Sequence, residues 1–192
     1  MITSLDQLDL EKTYTYADYL KWEFDEYVEL IRGKIVRMSP APSSSHQRVS
    51  VNVTSEIHSF LKGKPCKVFS APFDVRLSRL QSDAQTITVV QPDVCIICDL
   101  TKIDEKGCHG APDLIVEILS PYTSKKDVRD KFDLYEEAGV LEYWVIEPLD
   151  KIVDVFILKE GKYALVRKYV SDDLVPVNIF PGFSLDMKEI FA

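Results

Sequence analysis

Val89-Val90-Gln91-Pro92-Asp93-Val94-Cys95-Ile96-Ile97 and Leu114-Ile115-Val116-Glu117-Ile118-Leu119 are nearly continuous apolar runs, each carrying one acid. Apolar residues at successive rather than alternate positions are what strands buried on both faces require. An ionised carboxylate in such surroundings costs roughly several kcal/mol unless it is paired or holds a metal. One such acid reads most simply as half of an ion pair. Two on sequential strands point instead to a shared divalent cation, because hard carboxylate oxygens suit Mg²⁺ or Mn²⁺.

Working outward, residues 124–138 have the pattern of a helix. Ser124 can cap it, Val128, Phe132 and Tyr135 form one stripe, and Gly139 closes it. Residues 46–62 repeat Val49, Val53, Ile57, Phe60 and Leu61 at helical spacing after a serine run that supplies a cap. Residues 16–25 read as a short helix. Strands are expected over 67–77, 88–98, 113–120 and 142–147. Arg32-Gly33 joins an N-terminal hairpin, and Glu160-Gly161-Lys162 joins another made of 152–158 and 163–169. The core order is therefore α-β-β-β-α-β between two β-hairpins, a mixed α/β sheet covered by helices. From residue 172 onward the chain reads as a loop.

At 192 residues, one domain spanning 1–192 is expected. Twenty-three Lys and Arg against 31 Asp and Glu give a net charge of −8. That balance disfavours a generic nucleic-acid coat or a polybasic membrane binder. No segment is long and apolar enough to span a bilayer, and Met1 to Asp6 lacks the features of a secretory signal. A cytoplasmic protein is expected. Cys66, Cys95, Cys98 and Cys108 are too few, in too apolar a setting, to suggest a disulfide framework. Zinc binding by Cys95 and Cys98 is disfavoured, since strand residues three apart point to opposite faces.

Cation chemistry on a phosphate also needs a positive group. Leu119, two beyond Glu117 and on its face, is apolar. The nearest cations are Lys125, Lys126, Arg129 and Lys131. Lys131 lies beside the inner stripe of the 124–138 helix, where it is either a site residue or a solvated surface lysine. Asp74 is expected to pair with Arg76 or Arg79.

A set of motifs runs through the chain in a recognisable order: Val28-Glu29-Leu30-Ile31-Arg32-Gly33-Lys34, Met38-Ser39-Pro40-Ala41-Pro42, His46-Gln47-Arg48, Gln91-Pro92-Asp93 and Gly110 to Pro121. Asp127, Lys131, Tyr135, Gly139-Val140 and Glu142-Tyr143-Trp144-Val145 continue it. The set, over about residues 13–187, resembles the Uma-type family of putative restriction endonucleases in the PD-(D/E)XK nuclease superfamily. The resemblance implies a restriction-endonuclease-like fold and a Mg²⁺- or Mn²⁺-dependent endonuclease hydrolysing DNA. By position it makes Asp93 and Glu117 the metal-binding acids and Lys131 the catalytic lysine, displaced from position 119. It also brings in Glu29, His46 and Gln91 as auxiliary residues. Glu29 can alternatively form a hairpin salt bridge with Arg32 or Lys34, and His46 can simply hydrogen-bond its loop. DNA would approach Lys125, Lys126 and Arg129, with Lys62, Lys64 and Lys67 as a further cationic group. The competing reading is a catalytically silent binding or interaction module. A homodimer pairing the C-terminal hairpins is the third expectation.

Overall fold

The computed structural model describes residues 2–23, 25–38, 42–78, 80, 82–121 and 125–192, with the backbone alone at 125 and 126. The first helix, α1 (Tyr16–Tyr19), has a Thr15/Asp18 capping box but only one turn, shorter than the 16–25 expected. The reason is tertiary: Trp22 bridges to Ile2 and the Glu23 N–H donates to the Ile2 carbonyl, drawing the chain out of helix. Next come β1 (Val28–Ile31) and β2 (Lys34–Arg37), joined by Arg32 and Gly33 at φ 52° and 78°. Both positive angles belong to the tight turn that suits a two-residue hairpin. At Gly33 a Cβ would also collide with the Thr13 side chain.

Helix α2 (Ser44–Leu61) starts where Ser43 Oγ accepts the His46 N–H at 3.3 Å. Its row Val49, Val53, Ile57 and Leu61 is buried. The remaining elements are β3 (Lys67–Ser70), β4 (Val75–Arg76), β5 (Val89–Val90), β6 (Val94–Ile97), β7 (Ile103–Asp104), β8 (Gly107–His109), β9 (Leu114–Ile118) and α3 (Lys125–Ala138). They are followed by β10 (Glu142–Glu147), β11 (Ile152–Lys159), β12 (Lys162–Val170), β13 (Leu174–Pro176), β14 (Ser184–Asp186) and α4 (Met187–Ile190). The expected cap Ser124 lies outside the described residues.

Among the described residues two six-stranded sheets result, with orders β12-β11-β10-β9-β6-β3 and β2-β1-β5-β4-β8-β7, beside the β13-β14 pair. The first contains the α-β-β-β-α-β core as α2, β3, β6, β9, α3 and β10. Its β9 and β10 are parallel, as a crossover through α3 requires. The second sheet departs from expectation. The runs 67–77 and 88–98 each divide in two, and their halves pair in different sheets. Pro72 and Pro92 stand at the breaks, and a residue without an N–H cannot continue a central ladder.

Alternation sorts the central strands into two faces. Val94, Ile96, Leu114, Val116, Trp144 and Ile146 pack toward α2. Cys95, Ile97, Ile115, Tyr143 and Val145 pack toward α3 and the second sheet. Cys95 and Cys98 fall into different clusters, as the strand reading required. The disulfide expectation is corrected. Cys66 and Cys98, flanking the paired residues Lys67 and Ile97, are joined, while Cys95 and Cys108 are free and buried. Antiparallel register brings together two cysteines 32 residues apart, a proximity invisible in their spacing.

The loop expected beyond residue 172 is also corrected. Val175, Val177, Leu185, Met187, Ile190 and Phe191 are buried against the α2 side of the sheet. Fully buried Glu142 anchors this segment, accepting from Trp144 Nε1 at 2.8 Å, Asn178 Nδ2 at 2.9 Å and the Ile179 N–H at 2.9 Å.

Candidate active site

The acid-bearing strands place their carboxylates on the α3 face of the central sheet. Asp93, just before β6, has the parity of Cys95 and Ile97, and Glu117 has the parity of Ile115. Across from them, β1 aims Leu30 into the N-terminal apolar cluster, and alternation sends Glu29 the other way, into the space between the sheets. Helix α3 lays Lys131 and Tyr135, four residues apart, over the same point.

These groups form one network. Lys131 Nζ lies 3.0 Å from Glu117 Oε1 and 3.0 Å from Glu29 Oε1. The Tyr135 hydroxyl donates to Glu117 Oε1 at 2.5 Å. Both bonds to Glu117 converge on one oxygen, so Oε2 is engaged by neither. Asp93 Oδ2 accepts the Ile118 N–H at 2.7 Å, and Oδ1 is 3.2 Å from His46 Nε2. Glu29 Oε1 also accepts the Gln91 N–H at 2.9 Å.

Charge within the network is unbalanced. Among the described side chains Glu29, Asp93 and Glu117 face one ammonium, that of Lys131, and Glu29 and Glu117 are buried. Burial pushes the Glu117 carboxyl up to about 7, and the negative charges of Asp93 and Glu29 add to it, against the pull of Lys131 and Tyr135. Burial disfavours the Lys131 ammonium, but Glu117 and Glu29 outweigh it and hold its pKa above the ordinary value. Burial and the neighbouring acids raise the Tyr135 phenol, so it stays protonated and donates. For His46, burial works against the imidazolium, yet Asp93 and the Ile118 backbone raise its pKa on balance. Among the described residues its buried Nδ1 has no hydrogen-bond partner.

The donor set fits a Mg²⁺-like ion. Two carboxylates on adjacent strands, with surplus negative charge around them, match an ion that uses one or two protein carboxylates and fills its remaining positions with water. Among the described residues no group of three or more His, Cys, Asp or Glu side chains is arranged to hold a metal ion, so side-chain ligation would rest on the two carboxylates.

The structure thus brings together Asp93, Glu117, Lys131, Glu29 and His46. Glu29 is a buried counter-ion of Lys131, not a hairpin ion pair. Arg32 pairs with Glu137 at 2.7 Å, and Lys34 Nζ donates to the carbonyls of Glu11 and Lys12. Gln91 meets the cluster through its backbone, while its side-chain nitrogen is bonded to Asp74 Oδ1 at 2.8 Å and to the Tyr19 hydroxyl at 3.4 Å. For Asp74 the Arg76 pairing is corrected: among the described residues its side chain meets Gln91 and the Tyr16 hydroxyl, the latter at 3.1 Å. Arg76 goes instead to Asp104 at 2.6 Å and Asp83 at 3.6 Å, and Arg79 lies outside the described residues.

The expected DNA contacts are less concentrated. The side chains of Lys125 and Lys126 lie outside the described residues. Arg129 is exposed, but among the described side chains α3 lines the cleft with Asp127, Val128, Asp130 and Lys131. Lys62, Lys64 and Lys67 sit beyond the far end of α2, roughly 24 Å along its axis from His46 at 1.5 Å per residue. Sequence reasoning missed Tyr135 as a site residue. Its position four after Lys131 was the available signal, but the residue also suited the apolar stripe to which it was assigned.

The profile of the Uma2 family, described as putative restriction endonucleases, matches residues 16–188. The chain belongs to the Uma2 family. It is 26% identical over 174 residues to the uncharacterized protein slr1290 of Synechocystis, covering 88% of each chain. Its fold is also similar to the crystal structure of a putative nuclease belonging to DUF820 from Anabaena variabilis. That match has a TM-score of 0.71 and 24% identity, covering 92% of this chain and 97% of the other. The mixed α/β architecture expected of a nuclease-like fold is therefore shown. Among the described residues, no helix of this Uma2 member is long and apolar enough to cross a membrane.

Proposed function

We propose that this Uma2 chain is a divalent-cation-dependent endonuclease that hydrolyses DNA phosphodiester bonds. The observation that carries the reading is the convergence of Lys131 from α3 with Glu117 from β9, next to Asp93, despite the apolar residue at position 119. Asp93 and Glu117 would hold Mg²⁺ or Mn²⁺, with the Ile118 carbonyl as a further oxygen ligand. When bound, such an ion lowers the pKa of a water and offsets charge on the phosphate. Lys131, aimed by Glu29 and Glu117, orients the attacking water and donates to the charge that develops as the new P–O bond forms and the ester P–O bond breaks. Tyr135 keeps Glu117 Oε1 in place. His46 holds Asp93 Oδ1, and the Gln91 N–H holds Glu29.

A second reading, a silent interaction module, draws on Asp93, both of whose oxygens already accept or face a donor. Calorimetry with Mn²⁺, beside cleavage of plasmid, single-stranded and branched DNA, separates the two. The nuclease reading expects cation binding that is lost in both Asp93→Asn and Glu117→Gln, and cleavage that needs the cation. Unchanged Mn²⁺ affinity in both variants overturns the site assignment. The expected homodimer would use β12, an edge strand exposing Leu165, Val166 and Val170. Sedimentation tests it. Cytoplasmic placement belongs to the same proposal, and the Cys66–Cys98 pair weighs against it because disulfides persist mainly in oxidising compartments.

A further inference from the structure

The acid and lysine cluster stands in a cleft of about 800 Å³. One wall is α2, whose residues His46, Ser50 and Thr54 form one row at i+4 spacing, with Gln47, Val51 and Ser55 in the next. These rows run roughly 13 Å along the helix from the cluster. The opposite wall comes from β2 and from Met38 just after it. Tyr27, preceding β1, lines the cleft yet is 64% exposed, which puts its ring at the mouth. Its backbone is anchored there, since the Tyr27 carbonyl accepts the Met38 N–H at 3.0 Å.

Three features of this cleft disagree with an intact duplex. First, the reactive groups are recessed: Glu117 is 8% exposed and Glu29 3%, whereas a duplex carries its phosphates on the outside of a wide cylinder. Where a target atom cannot reach a recessed centre from within a duplex, as for enzymes that act on bases, the strand is single or the nucleotide is lifted out of the stack. Second, the volume is of the size that encloses a small molecule, not a helix. Third, the described walls lack the basic stripe of a duplex binder. Glu29, Asp93, Glu117, Asp127 and Asp130 stand against Lys34, Arg37 and Lys131. Of these cations, Lys34 donates to backbone carbonyls and Arg37 lies 3.6 Å from Glu26. What the walls do offer is neutral hydroxyl and amide groups, suited to sugar and phosphate oxygens. They also offer an exposed aromatic ring, suited to the face of any base.

We infer that the cleft takes an unpaired DNA strand, its backbone along the Gln47, Ser50 and Ser55 face of α2 and a base stacked on Tyr27. This rests on the nuclease reading above and names its substrate class. The test uses a short DNA oligonucleotide carrying 2-aminopurine, as a single strand and as a blunt duplex. It is titrated into Glu117→Gln protein with Mg²⁺ present, and into Lys131→Ala protein, kept in EDTA so that it does not cut, as a second background. The strand should bind at least about tenfold more tightly than the duplex, with quenched fluorescence. Tyr27→Ala, added to either background, should weaken strand binding by about tenfold and abolish the quenching while leaving the melting temperature unchanged; Tyr27→Phe should keep both signals. Equal or tighter duplex binding, or an unaltered Tyr27→Ala titration, overturns the inference. Cleavage keeps the two readings apart. A wild-type protein that cuts duplex as fast as strand overturns this inference and leaves the nuclease reading standing. Tyr27-dependent strand binding by a protein that cuts nothing upholds it and removes the nuclease reading.

Discussion

Replacing Glu117 by Gln should stabilise the cation-free protein at alkaline pH, although it removes a partner of a buried lysine. In the folded state burial and the neighbouring carboxylates raise the Glu117 carboxyl from 4.5 to about 7. A group whose pKa rises on folding favours the native state while it is protonated, and that advantage fades as pH climbs from its unfolded value through its folded one. A rise from 4.5 to about 7 corresponds to roughly 3 kcal/mol lost by pH 8. Glu117 is only 8% exposed, so solvent screening removes little of this. Glutamine cannot ionise, but its amide oxygen can still accept from Tyr135 and Lys131, which preserves both hydrogen bonds. The Glu117→Gln protein should therefore gain a few kcal/mol in urea unfolding at pH 8 with EDTA. For a domain of this size that is a melting shift of roughly 6–12 °C. At pH 5 the gap should shrink below about 1 kcal/mol. Added Mg²⁺ should raise the wild type at pH 8 and leave Glu117→Gln unmoved. A variant less stable than wild type at pH 8, or an equal gap at both pH values, refutes the argument that crowded negative charge limits stability here.

Further outcomes test the lysine, the C-terminal anchor and the cysteines. Lys131→Ala should keep Mn²⁺ binding but cut DNA about 10²–10³-fold more slowly, and adding Leu119→Lys, on the face of Glu117, should restore part of the rate. Undiminished cleavage by Lys131→Ala would show that another group supplies the charge. Glu142→Ala strands the Trp144, Asn178 and Ile179 donors, and should cost on the order of 3 kcal/mol in denaturant unfolding. Thiol titration of the denatured, unreduced protein should find Cys95 and Cys108 only, and reduction should lower stability by roughly 4 kcal/mol for a loop of 32 residues. Four reactive thiols before reduction would refute the Cys66–Cys98 pair.

Features that live in short windows of sequence were readable directly. The apolar runs around Asp93 and Glu117, the row Val49, Val53, Ile57 and Leu61, and the turns at Arg32-Gly33 and Glu160-Gly161 all depend on period or turn chemistry within a few residues. They established the α-β-β-β-α-β order and put one acid on each of two sequential strands, while the register that sets Asp93 and Glu117 on one face came from the pairing of those strands. Lys131 was ambiguous from spacing alone, since the same position on a helix can meet water or a buried acid.

Tertiary structure decided where separate segments meet. A strand run does not state which sheet it joins, so the splitting of 67–77 and 88–98 between two sheets became clear only from their partners. That second sheet carries Glu29 to Lys131 across 102 residues of chain and turns a hairpin acid into the lysine's counter-ion. The Gln91 side chain was likewise drawn to Asp74, Cys66 was placed opposite Cys98, and the segment after residue 172 became core against α2. Local pattern sets which face of an element is apolar. The partner of each polar group follows from desolvation: once two elements close over Glu29 or Glu117, every buried carboxylate must find a donor, and only the assembled sheets determine which one is within 3 Å.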